Sequence, residues 1–180
     1  MALPALTSDG VLPLGRWHAT LGDVEDAFVT GQGARREEIW AHLAVANQTI
    51  SRLVHVGSVW FSGSFFTNKT EPDDIDCVYF VDARTRPSTP VEAAAFDLFV
   101  GGEKLKRFGL RVDSYVVAWI YRPGVDLNID AQVPLMWRGY WDDLWQRQRH
   151  GAKGSIHPDD GLPTRGFVEV TIDGFHATAP

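Results

Sequence analysis

Residues 63–76 read Gly-Ser-Phe-Phe-Thr-Asn-Lys-Thr-Glu-Pro-Asp-Asp-Ile-Asp, and the fold turns on this stretch. An apolar run leads into Gly63-Ser64, and a polar loop leads out to Asp74-Ile75-Asp76, which opens a second apolar run, Cys77 to Val81. Side chains alternate faces along a strand, so Asp74 and Asp76 share one face while Ile75 and Cys77 share the other. Two carboxylates on one face at the mouth of a sheet repel each other unless a cation sits between them. Hard oxygen ligands with room for water and phosphate suit Mg²⁺ better than zinc. A Gly-Ser turn offers phosphate an approachable backbone, N–H donors and a hydroxyl. Metal and phosphate sites side by side point to chemistry on a nucleotide.

Gly63-Ser64, the nine-residue spacer Phe65 to Asp73 and Asp74-Ile75-Asp76 resemble the signature of the nucleotidyltransferase superfamily, the polymerase-beta-like fold. That signature also has a third carboxylate on a later strand, and in Leu-Arg-Val-Asp-Ser-Tyr-Val-Val-Ala-Trp (110–119) it falls on Asp113. The resemblance covers residues 34 to 121. A closer likeness rests on residues 14–28 (Leu-Gly-Arg-Trp-His-Ala-Thr-Leu-Gly-Asp-Val-Glu-Asp-Ala-Phe), on residues 62–76 and on Arg-Gly-Phe-Val-Glu-Val from Arg165. These are similar to a family of small bacterial and phage proteins described only as nucleotidyltransferase-like.

The resemblance implies an α/β (α+β) fold, a mixed sheet flanked by helices. It also implies an NTP, ATP foremost, with its triphosphate on Gly63-Ser64, and two Mg²⁺ ions (or Mn²⁺) held by Asp74, Asp76 and Asp113. Lys69, in the spacer, is placed to reach the triphosphate, with an exposed loop lysine as the alternative. Minimal members of the superfamily carry Tyr-Ala-Arg-Gly after Gly-Ser, and here Phe65-Phe66-Thr67-Asn68-Lys69 stands instead. The expected reaction passes an NMP to a hydroxyl of a protein, a tRNA or a small molecule, as in toxin–antitoxin or phage-defence modules. The altered spacer motivates an alternative, a binding module of the same fold that has lost turnover.

Composition sets bounds around this. One hundred and eighty residues, 44% hydrophobic and 22% charged, predict a single domain with a buried core. Around the 34–121 core lie an arm and helix (1–33) and a helix and strand (133–172). A net charge of −6 argues against non-specific nucleic-acid binding. The basic groups Lys104, Lys106, Arg107 and Arg111, then Arg147, Arg149 and Lys153, read as solvated surface charge. Cys77, the lone cysteine, reads as a buried inert thiol. Neither a leader nor a membrane-length apolar stretch is visible, so the expectation is a soluble cytoplasmic protein.

Along the chain, residues 1 to 19 read as an extended arm, and Thr20 with Asp23 as a capping box opening a helix to about Thr30. Helical spacing of Ile39, Leu43, Ala46, Ile50 and Leu53 predicts a helix from 34 to 53. Strands are expected over 55–61, 75–81, 110–121 and 167–172, the third broken by Arg122-Pro123-Gly124. Thr89-Pro90-Val91-Glu92 starts a helix ending near Gly101-Gly102, and a short basic helix reaches Phe108. A last helix spans 133–150, and residues 151–166, rich in Gly and Pro, read as mobile. Trp137, Trp141 and Trp145 share a helix face and read as packing on the sheet. Gly57 reads as a structural strand glycine, and the six histidines show no zinc spacing.

Overall fold

Alternation along two central strands decides the architecture. In β2 (Val56–Ser62) and β3 (Ile75–Asp82), Val59, Phe61, Cys77, Tyr79 and Val81 enter one buried cluster, and Trp60, Val78 and Phe80 enter another on the opposite face. The computed structural model describes residues 2–119, 129–150 and 155–175. Lys153, His176 and the Arg122-Pro123-Gly124 break lie outside them. With β1 (Gly15–Ala19), β4 (Val112–Trp119) and β5 (Gly166–Thr171), the five strands form one mixed sheet in the order β1-β5-β2-β3-β4. β2 runs antiparallel to β3 and β5, while β3–β4 and β1–β5 are parallel.

The first face is covered by α1 (Leu21–Phe28), α2 (Ala34–Leu53) and the segment around α3 (Pro90–Asp97). Val24 and Phe28 of α1, Ile39, Leu43, Ala46 and Ile50 of α2, and Phe99 beyond α3 join its apolar cluster. Both expected capping boxes form, Thr20 with Asp23 and Thr89 with Glu92, each satisfying N–H groups that the first helical turn leaves free. Burial drives the Cys77 thiol well above its ordinary range, as an inert core group requires.

The second face carries α4 (Ile129–Trp145). Trp141 and Trp145 are buried against Trp60, Phe80 and Phe167, with Trp145 and Phe167 ring centres 6.0 Å apart. Trp137, third of the expected stripe, stays half exposed. Arg16 and Arg138 both lie over the Trp60 ring, at 5.0 and 4.7 Å, and both face the buried Glu169.

One departure from the expectations lies in the arm. Within the arm, residues 15–19 are a strand, because Arg16 and His18 alternate with the more buried Trp17 and Ala19 in register with β5. The last strand sits inside the sheet, between β1 and β2. The segment before it is anchored at its end, where the N–H groups of Thr164 and Arg165 donate to the Gln146 carbonyl. Gly57 is structural: a Cβ there would lie 2.3 Å from the Phe175 ring. Among the described residues, no helix is long and apolar enough to cross a membrane.

Candidate functional site

Parallel pairing of β3 with β4 puts Asp76 directly beside Asp113, and antiparallel pairing of β2 with β3 puts Ser62 on the other side of Asp76. All three belong to the α4 side of the sheet, at the end where β2 leaves and β3 and β4 begin. Asp74 precedes β3 by one residue and reaches the same place. Lys106, from the short 3-10 turn Glu103–Phe108, sets its ammonium 2.6 Å from Asp74 and 3.8 Å from Asp113. The same ammonium lies 3.4 Å from Glu103.

Gly63 makes this crowding feasible. Its φ of +89° is one that L side chains avoid, and a Cβ on it would stand 1.9 Å from the Asp76 carboxylate. The strand therefore needs glycine here for two separate reasons, backbone conformation and space. Ser64 opens a 3-10 turn over Ser64–Phe66, and the N–H groups of Ser64 and Phe65 make no backbone hydrogen bond among the described residues. The Ser64 carbonyl accepts from the Thr67 hydroxyl at 2.8 Å.

A buried arginine fixes the loop that follows. Arg36, in the first turn of α2, donates to the carbonyls of Phe28, Phe65, Thr67 and Lys69, at 3.2, 2.6, 2.8 and 2.8 Å. A buried cation is tolerable when its N–H groups find acceptors, and these carbonyls take the four N–H groups on the two terminal nitrogens. Phe65 and Phe66 are buried in the core, Phe66 edge-on to Phe28.

Electrostatics follow from the geometry. Burial, then the charges of Asp74 and Asp113, push the Asp76 carboxyl up to about 7, with Lys106 and Arg165 opposing. Burial also raises Asp113, helped by Asp74 and Glu103 against the pull of Lys106. Partial burial works against the Lys106 charge, but the hydrogen bond and charge of Asp74 and the charges of Asp113 and Glu103 outweigh it and hold the amine well above its usual range. Arg165 donates to Ser62 Oγ and to the Gly63 carbonyl, at 3.3 and 2.9 Å, bringing a buried guanidinium behind Asp76. Asp113 Oδ1 is buried without a hydrogen-bond partner. Carboxylate oxygens that repel one another, one of them orphaned, form a donor set that suits a hard divalent cation.

Clefts open on both sides of Lys106. One, of about 350 Å³, is lined by Glu38, Asp73, Asp74, Lys106, Leu110 and Arg111. Another, of about 520 Å³, lies between Gly101, Glu103, Lys104, Lys106 and Arg107. An apolar pocket of about 580 Å³ shares Gly101 with the second cleft and has Tyr115, Trp137 and Trp141 in its wall.

Asp74, Asp76, Asp113 and Gly63 are thus brought together, with Ser64 one residue further on. Lys69 is not: its ammonium pairs with Asp73 at 2.8 Å, and it lines a separate pocket with Leu3, Leu6 and Asn68. Lys106, Arg165 and Ser62 were missed as site residues. Ser62, next to Gly63 and two residues from Trp60, carried a parity signal that could have found it.

Fold and site together define a mixed α+β protein with a carboxylate cluster at one end of its sheet, backed by a lysine and a buried arginine. The chain belongs to DUF6932, a family of unknown function, with the match spanning residues 4–171. No curated protein and no solved structure matches it.

Proposed function

We propose that the protein is a metal-dependent nucleotidyltransferase, moving an NMP from an NTP to a hydroxyl acceptor. The observation that carries this reading is the register of Asp76 with Asp113, beside Asp74 and against a left-handed Gly63. Asp74, Asp76 and Asp113 fit Mg²⁺ by donor chemistry and by the orphaned Asp113 oxygen. When bound, the ion supplies charge stabilisation at the phosphoryl oxygens.

The chain's own residues do the rest. Gly63 and the N–H groups of Ser64 and Phe65 offer the triphosphate a backbone cradle. An acceptor hydroxyl attacks the α-phosphorus, the bond to the bridging oxygen of the β-phosphate breaks, and pyrophosphate departs. Asp113, whose carboxyl is raised by burial, takes the hydroxyl proton. Arg165 neutralises part of the charge behind Asp76 without entering the reaction.

The experiment is pyrophosphate release from each NTP with Mg²⁺, given protein, tRNA and small-molecule acceptors in turn. Wild type should release pyrophosphate, and Asp76→Asn should lose about 10³-fold of the rate while remaining folded. Equal rates in the two proteins remove the acids from the chemistry. Nucleotide binding without release in any mixture favours the alternative, a binding module of the same fold.

A further inference from the structure

We propose that Lys106 is a resident counter-ion of the acid cluster, its ammonium keeping the place among Asp74, Asp113 and Glu103 that an incoming divalent cation must take. The inference deepens the metal-dependent reading and rests on it for the identity of that cation.

Three observations carry it. The ammonium touches carboxylates from three elements, the Asp74 lead-in to β3, β4 and its own 3-10 turn. Such convergence is what a metal ion otherwise provides, and a lysine and a metal cannot share the same oxygens. The segment bearing Lys106 is bounded by glycines at left-handed φ, Gly101 and Gly102 before it (+89° and +90°) and Gly109 after it (+79°). Those glycines tolerate backbone rearrangement at both ends of a six-residue turn. Finally, Lys106 has somewhere to go, because it lines the clefts on both sides of the cluster, beside Arg111 in one and Arg107 in the other.

Displacement has a consequence for substrate. A lysine released from the acids enters a cleft that already holds an arginine, and there its charge faces any polyphosphate brought by the metal. Metal entry would then prepare the anion site in the same movement. The metal-free protein meanwhile avoids the full repulsion of its acids, since one cation neutralises them in place.

The test compares wild type, Lys106→Met and Lys106→Gln. Free Mn²⁺ is titrated by electron paramagnetic resonance at pH 8. Removing the competing ammonium should tighten Mn²⁺ binding about tenfold in Lys106→Met, with Lys106→Gln in between. A mutation-free arm labels amines of the wild-type protein with an acetylating reagent and reads them by mass spectrometry. Lys106 should be protected in EDTA and labelled in Mn²⁺.

Equal or weaker Mn²⁺ affinity in both variants, with Lys106 labelling unchanged by metal, overturns the proposal while leaving the metal site standing. Binding that appears only when Lys106 is replaced upholds the counter-ion and counts against metal-dependent turnover. No binding in any of the three proteins overturns both.

Discussion

On one face of the sheet, Val59, Phe61, Cys77, Tyr79 and Val81 meet α1 and α2 with apolar surface and a single hydroxyl, which Tyr79 donates to Asn47 at 2.7 Å. On the other, the same strands present Ser62 and Asp76, β4 adds Asp113, and β1 and β5 add Arg16 and Glu169. The apolar face is long and continuous. The charged face is apolar only where Trp60, Phe80 and Phe167 meet Trp141 and Trp145. Like charges packed at a sheet end destabilise the fold, and the opposite face offsets that cost. The apolar core and the acid cluster are separated by the thickness of one sheet.

That division is open to attack from either side. In EDTA, metal-free stability should respond to pH through Asp76, whose carboxyl is raised to about 7 in the fold from 3.8. An acid raised on folding contributes most below its unfolded value, and the contribution is lost as pH rises through the folded one. Stability should therefore fall between about pH 4 and pH 7, by on the order of 4 kcal/mol, and level off above. Urea denaturation across that window measures it, and Asp76→Asn should flatten most of the slope. A wild-type profile that is flat or rises would mean the acids are not crowded as described.

From the apolar side, Leu43→Ala should cost about 3 kcal/mol of unfolding free energy at every pH, since the side chain is 1% exposed. It should leave Mn²⁺ affinity per folded molecule unchanged, and a loss of affinity would show that the two faces are coupled. Gly63→Ala joins both effects. Strain at φ +89° should cost about 2 kcal/mol in denaturant, and the new methyl, colliding with the Asp76 carboxylate, should also weaken Mn²⁺ binding. Stability lost with metal affinity intact would confine the glycine to a hinge. Ser64→Ala is the mildest change: one neutral hydrogen bond, about 0.5–1.5 kcal/mol, should go from NTP binding measured by calorimetry with Mg²⁺. No change for any NTP would exclude the Ser64 hydroxyl and leave the cradle to the backbone N–H groups alone.

What could be read in the sequence follows the same division. Period-two alternation put Asp74 and Asp76 on one face and Cys77 on the other, because pleat geometry is local, whereas Asp113 came from the resemblance and its place beside Asp76 from the β3–β4 register. Both capping boxes were legible for the same reason. Lys106, Arg165 and Arg36 were not, since a long charged side chain takes its partner from elements far away in sequence. Arg36 donates to Lys69 across thirty-three positions, and Arg165 to Ser62 across one hundred and three. The arm hid β1, five residues that follow Pro13, open on a Gly15 at φ +132° and pair, among the described residues, with β5 alone. α4 begins at Ile129, four residues ahead of the expected start, and carries Pro134 inside it, which sequence rules place at a helix end. Lys69 looked suited to a phosphate by position, but its ammonium takes a partner only four residues on, Asp73.

The placement of β5 has a temporal side. During synthesis β1 emerges early, yet its partner in the sheet is not made until residues 166–171. Until then β1 waits unpaired, and β2 has one edge open to stray pairing. Arg165 immediately precedes β5, so its guanidinium reaches Ser62 and Gly63 only as that strand docks. The chain therefore closes its sheet and finishes its acid cluster in one late step, and a ribosome-bound intermediate lacking β5 would have neither.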